Sequence, residues 1–116
     1  MPSASERDVR LYLEDMLAFC ERVLAYTTDI DQATLVLEGM RYDATLRNLE
    51  LMGEAATHVP QALRDEAPAI PWRQIIATRN RLIHAYLGID SDTVWSIVRD
   101  DVPALRQQLV SWLERL

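Results

Sequence analysis

The sequence predicts an all-α protein, a compact bundle of four or five main helices. Three observations predict it. Apolar residues recur at helical spacing through most of the chain, no stretch alternates in the manner of a strand, and Pro60, Pro71 and Gly88 fall where one periodic stretch gives way to the next. At 116 residues, 49% hydrophobic and 26% charged, the chain is expected to form one globular domain over its whole length, 1–116. There is no internal repeat, low-complexity tract or linker.

The first helix is expected to start at a Ser5 cap, with Asp8 three residues on. Val9, Leu13, Met16, Cys20, Val23 and Leu24 then carry its stripe to about Tyr26. After the polar TTD turn, a short helical piece from about Asp31 reaches Gly39, whose backbone freedom would permit a break or bend. A longer helix from about Met40 to His58 follows and is stopped by Pro60. Its stripe runs Tyr42, Leu46, Leu49, Met52, Ala56 and Val59, and Gly53, Ala55 and Ala56 are small enough to let another helix come close. One or two helical turns are expected around Leu63. Pro71 is well placed to open the next helix, which should run to about Tyr86 and stop near Gly88. Asp90 or Ser91 then caps a helix carrying Val94, Ile97 and Val98. Pro103 opens or kinks the last one, whose Leu105, Leu109, Trp112, Leu113 and Leu116 form a clean stripe.

Composition excludes several classes. A formal charge of −6 argues against a protein that coats nucleic acid by bulk electrostatics, so any RNA contact must be local. One local feature fits that restriction: no acid lies between Ala67 and Ile89, whereas Arg73, Arg79, Arg81 and His84 all do. No apolar run is long enough for a membrane span, and the N-terminal MPSASERDVR lacks the basic-then-apolar layout of a signal peptide, so a cytoplasmic protein is expected. Cys20 is alone and sits among apolar neighbours, which suits a small buried hydrophobe.

The chemistry is expected on PWRQIIATRNRLIHAYLGID. Projected at about 100° per residue, Trp72, Ile75, Ile76 and Ile83 define an apolar face with Arg79 near its centre. Tyr86 joins that face, Asn80 and His84 stack along one flank, and Arg81 points the opposite way. A guanidinium on an apolar stripe needs an acidic partner, a polar cleft or a ligand, because burying it unpaired is strongly unfavourable. The plain explanation is an internal ion pair with Glu50 or Glu54, leaving His84 a hydrogen-bonded edge residue. The sharper one is that the stripe faces a second subunit. On one helix Arg79 and His84 differ by about 140° in direction and roughly 7.5 Å in rise, which converges poorly on one phosphate. Two copies about a two-fold axis could bring the arginine of one chain to the histidine of the other. Arg plus His suffices for RNA cleavage without metal: an imidazole takes the proton of a ribose 2′-OH or gives one to the leaving oxygen, and a guanidinium holds the phosphate as charge builds. Asn80 would orient the phosphate or His84, and the immediate product would be a cyclic phosphate.

Other sites are poorly supported. There is no Gly-rich phosphate loop and no Cys or His pair at metal-ligand spacing, so neither cofactor nor metal is expected. His58 at a helix end reads as a partner of the helix carbonyls. Glu50 and Glu54 can share a face with Arg47 as a solvated charge face, with a supporting role for Glu54 as the alternative. Trp72, Trp95 and Trp112 each fall on an apolar stripe, as core or interface anchors.

The pattern in RNRLIHAY is Arg, four residues, His, one residue, Tyr: Arg79, His84 and Tyr86. It resembles the HepT-like toxins of the HEPN superfamily. The resemblance extends to LRNLELMGEAA before the motif, the IPW lead-in and LGIDSDTVWSIVRDDVPAL after it, most of the chain from about Tyr42. It implies an all-α homodimer with the motif at the subunit cleft and ribonuclease activity on tRNA or mRNA. It also implies an antitoxin partner, a small nucleotidyltransferase of the MNT type. Carried to this chain, Arg79 and His84 become catalytic, Asn80 supporting, and Tyr86 the acceptor of an AMP group added by the partner. On periodicity alone Tyr86 reads equally as packing beside Ile83. Two other readings stand beside this one: a non-catalytic HEPN module that dimerises and holds a nucleotidyltransferase or nucleotide, and a purely structural helical dimer.

Overall fold

A computed structural model describes residues 4–84 and 88–116, with side chains described from residue 8 onward. Among the described residues all regular structure is helical: α1 (Ala4–Thr27), α2 (Gln32–Leu37), α3 (Gly39–Thr57), α4 (Gln61–Arg64), α5 (Trp72–Ile83), α6 (Ser91–Ser96) and α7 (Val102–Arg115). Helix α1 is the hub. It packs along both α3 and α7, while α5 lies against the outer side of α3 and makes no comparable contact with any other helix. The stripe expected on α1 is its buried face, since Leu13, Met16, Cys20 and Val23 are completely buried. They meet Leu49, Met52 and Ala56 of α3 and Val98, Leu105 and Leu109 of the C-terminal helical run in one core. Ser5 falls inside α1, and its side chain lies outside the described residues.

Local chemistry explains most boundaries. Asp31 caps α2 by accepting from Thr34 N–H at 2.8 Å, and Asp90 caps α6 by accepting from Thr93 N–H at 2.7 Å. The break between α2 and α3 falls on Glu38, with an ordinary φ of −86°, one residue before the expected Gly39. Gly39 simply begins α3, so its conformational freedom is not what breaks the chain. Pro60 precedes α4 as its N-cap residue, and the Arg64 guanidinium folds back onto the carbonyls of Ala56, Thr57 and Val59 at the end of α3.

The C-terminal third is one helical run with a widened turn. Between α6 and α7, Ile97–Asp101 forms a π-helical turn, closed by Val102 N–H donating to the Ile97 carbonyl five residues back. Pro103 supplies the reason. Inside a helix its ring would clash with the carbonyl of Arg99, four residues earlier, and it has no N–H to offer; widening the preceding turn accommodates both. Pro103 was expected to open or kink the last helix, and it does stand in the first turn of α7; the π turn joining α7 to α6 was not expected.

Candidate functional site

Helix α5 is shorter than its periodicity suggests. Pro71 is its N-cap residue rather than its first helical residue, and the helix ends at Ile83 instead of about Tyr86. At the start, Trp72 is buried, donates its indole N–H to the Ala67 carbonyl at 3.1 Å and meets Trp112 edge-on at 6.1 Å. At the finish, Ile83 is 42% exposed. His84 is the C-cap residue, with ψ at 81°, its N–H still donating to the Asn80 carbonyl at 3.1 Å. Gly88, at a left-handed φ of 64°, lies beyond the end. Tyr86 itself lies outside the described residues.

The middle of α5 is fixed by its crossing with α3. A Cβ at Gly53 would collide with the Arg79 Cβ and come within 2.9 Å of the Ile75 carbonyl oxygen, so the two helices approach as closely as a missing side chain allows. This crossing decides which acid meets Arg79. Glu54, the neighbour of Gly53, accepts from Arg79 Nε at 3.0 Å and from Nη2 at 2.7 Å, both on Oε2. Glu50, one turn away, pairs with Arg47 instead. Arg79 Nη1 donates to Asn80 Oδ1 at 2.7 Å. Three of the five guanidinium N–H groups are thus engaged, and two remain for another acceptor. The Arg79 side chain is 28% exposed and His84 is exposed, so neither group is sealed from solvent.

The sequence missed the part His58 and Tyr12 play beside Glu54. The other carboxylate oxygen of Glu54 lies 3.4 Å from His58 Nε2, and the His58 imidazole stacks on Tyr12 of α1 at 4.8 Å between ring centroids. Glu54 therefore links Arg79 to α1 through His58. The i,i+4 spacing of Glu54 and His58 was the available signal; the Tyr12 stack, which joins two helices, had none. The Arg79 hydrogen bonds hold the Glu54 carboxyl below its ordinary 4.5, with a smaller contribution from His58. The His58 ring, expected to partner the helix carbonyls, instead meets Glu54 and Tyr12, and only its backbone N–H donates to the carbonyls of Ala55 and Ala56.

The remaining candidates sort cleanly. Cys20 is fully buried against Met52 Sδ, 3.8 Å from its sulfur, and burial pushes its thiol up to about 12. Trp72 and Trp112 anchor the core, whereas Trp95 is only half-buried and lies under the Arg99 guanidinium at 5.4 Å. Arg81 is exposed and donates to the Gly88 carbonyl at 3.3 Å, on a different side from Arg79. Among the described residues no three His, Cys, Asp or Glu side chains gather as a metal-ligand set, and no helix is long and apolar enough to cross a membrane.

Fold and site together define a small protein, all-helical among the described residues, in which a carboxylate from one helix grips an arginine on the outer helix, and a histidine ends that outer helix. The chain belongs to the ribonuclease HepT-like family, whose family model matches residues 16–111. It is 37% identical over 105 residues to a protein of Methanocaldococcus jannaschii provisionally named an RNase, covering 90% of this chain and 96% of that one. It is 34% identical over 101 residues to a protein of Thermococcus cleftensis provisionally named ribonuclease HepT, covering 87% of this chain and 92% of that one. No solved structure matches the chain.

Proposed function

We propose that this chain is a metal-independent endoribonuclease and the toxin of a HEPN/MNT toxin–antitoxin pair. The observation that carries the reading is the state of Arg79: braced by Glu54 and Asn80, yet with two N–H groups uncommitted and access to solvent, on the same helix as an exposed histidine. A guanidinium braced in this way costs little reorganisation when a phosphate arrives. His84 takes the proton of the ribose 2′-OH, the 2′-oxygen attacks the adjacent phosphorus, and the 5′-oxygen of the next nucleotide leaves as it takes up a proton from solvent, giving a 2′,3′-cyclic phosphate and a 5′-OH. Arg79 holds the pentacoordinate phosphate.

The catalytic unit in this reading is a homodimer, with Arg79 of one protomer facing His84 of the other across the two-fold axis. The half-exposed Ile83 between them is the apolar residue that such a contact would cover. The partner is an MNT-type nucleotidyltransferase that adds AMP to Tyr86, setting an anion beside Arg79 and closing the phosphate site. The substrate is a tRNA or an mRNA, and the place of action is the cytoplasm.

The test is cleavage of a labelled single-stranded RNA by wild type, Arg79→Ala and His84→Ala. Each substitution is expected to lower the rate about 10²- to 10⁴-fold while the protein stays folded. Undiminished cleavage in His84→Ala removes the histidine from the mechanism. Incubation with the nucleotidyltransferase and ATP should add the mass of AMP to wild type but not to Tyr86→Phe. A second reading, a non-catalytic module that holds its nucleotidyltransferase partner, is favoured by the net charge of −6 and by the ion pair that Arg79 already makes. Absence of cleavage by the wild type, with intact binding of that partner, would select it.

A further inference from the structure

Two arginines of the positive segment, Arg73 and Arg81, have no part in the site just described, and Arg81 already bonds to the Gly88 carbonyl. Arg73 stands two turns before Asn80 on α5, is exposed, and makes no hydrogen bond or ion pair among the described residues. It borders a groove between α4 and α5 of about 580 Å³, open to solvent, whose polar lining is Gln61, Arg64, Arg73 and Asn80 over an apolar floor that includes Trp72 and Ile76. No carboxylate lines it, in a chain whose net charge is −6. The acid nearest in sequence to its α4 wall, Asp65, already accepts from Gln61 Nε2 at 2.9 Å.

The donors in this groove are placed and available. Arg64 is pinned by Nε to the Val59 carbonyl at 2.9 Å and by Nη2 to the Ala56 and Thr57 carbonyls at 3.1 and 3.3 Å, while Nη1 bonds to nothing among the described residues. Its charge is therefore held at the groove wall with no acid to cancel it. Asn80 spends its oxygen on Arg79, which leaves its amide N–H groups for an incoming acceptor. Because Asn80 belongs both to the groove lining and to the Arg79 cluster, the groove runs directly into the proposed cleavage site.

We propose that this groove is a phosphate-binding subsite for single-stranded RNA on one side of the scissile bond. Arg73 and Arg64 take successive phosphates, and Asn80 stands where the groove meets the site. From Arg73 to Asn80 is about 10 Å along the helix axis, enough for two successive phosphates rather than an isolated anion. The floor of Ile76 and the edge of Trp72 accepts a sugar or base face without reading its sequence. Local positive charge of this kind lets a strongly acidic protein hold RNA where its overall field would repel it. The subsite rests on the ribonuclease reading for its purpose but not for its test.

The experiment measures binding of a fluorescent single-stranded RNA to the His84→Ala protein by anisotropy, from about 50 to about 200 mM salt. Adding Arg73→Ala should weaken binding roughly three- to tenfold and reduce the salt slope by about one. Arg64→Lys, which keeps the charge but not the three-carbonyl clamp, should weaken it less. Arg99→Ala, on the far helical run over Trp95, should leave binding unchanged. An Arg73→Ala protein that binds with the parent affinity and salt slope overturns the subsite, even if Arg79 and His84 are required for cleavage. Arg73-dependent binding by a wild type that cleaves no RNA upholds the subsite and removes the ribonuclease reading. Loss of nucleotidyltransferase binding with RNA binding intact would make the groove a protein interface and also overturn the proposal.

Discussion

The two ends of α5 are held in opposite ways. At its start, Trp72 is 8% exposed, bonded to Ala67 and packed edge-on against Trp112 of α7, so this end is part of the core. At its finish, Ile83 is 42% exposed and His84 caps the helix in the open. Arg79 lies between them, at the point where Gly53 lets α3 and α5 touch. The difference teaches how a small protein divides one helix: packing at the first end sets where it points, and the second end stands exposed at the surface, beside the proposed site.

The comparison predicts unequal consequences. Trp72→Ala should cost about 3 to 5 kcal/mol in urea unfolding, as a buried aromatic that also loses a hydrogen bond. Ile83→Ala, at the other end, should change monomer stability by less than about 1 kcal/mol, and comparable costs at the two residues would break the contrast outright. Gly53→Ala comes next, at about 1 to 3 kcal/mol, because the new methyl must push α5 away against only a modest gain in helix propensity. It should also displace Arg79, so cleavage is expected to fall more than stability does. A variant as stable and active as wild type would show that the crossing is looser than its geometry.

Glu54→Gln sharpens the comparison from the middle of the helix. The amide keeps the shape but loses the charge that braces Arg79, and cleavage should fall about tenfold. The effect on stability should stay under about 1 kcal/mol, since both partners are solvent-screened. Its pH dependence has a definite sign. The folded state holds the Glu54 carboxyl below 4.5, so the pair stabilises the fold above that value and the contribution is lost as pH falls through the depressed folded value. The gap between wild type and Glu54→Gln should therefore close in acid, and a gap that widens there would contradict the pairing. The smallest expected effect is at Cys20, which should resist thiol reagents in the native state and react only on unfolding, being fully buried with its thiol pushed up to about 12.

Much of this was readable in the sequence because it depends on local periodicity. The stripes of α1 and α7 name their own buried faces, and the run of small residues at Gly53, Ala55 and Ala56 announced a close helix approach. What could not be read depends on relations between helices. Glu50 and Glu54 were equal candidates for Arg79 until the crossing point at Gly53 chose the second. The end of α5 at Ile83 carries no local capping signal, because the glycine that could have marked it, Gly88, lies farther on. Pro103 announced a disturbance, but whether the chain would break, kink or widen into a π turn depends on how α6 and α7 both pack on the core.

The central claim is that the site is shared, with Arg79 from one chain working beside His84 from another. Arg79→Ala and His84→Ala proteins, each inactive alone, should regain activity when unfolded together and refolded as a mixture. About half of the dimers would then be mixed, each with one intact site of two, restoring about a quarter of wild-type RNA cleavage. A refolded mixture no more active than its parents, beside a wild type that cleaves, would contradict the claim.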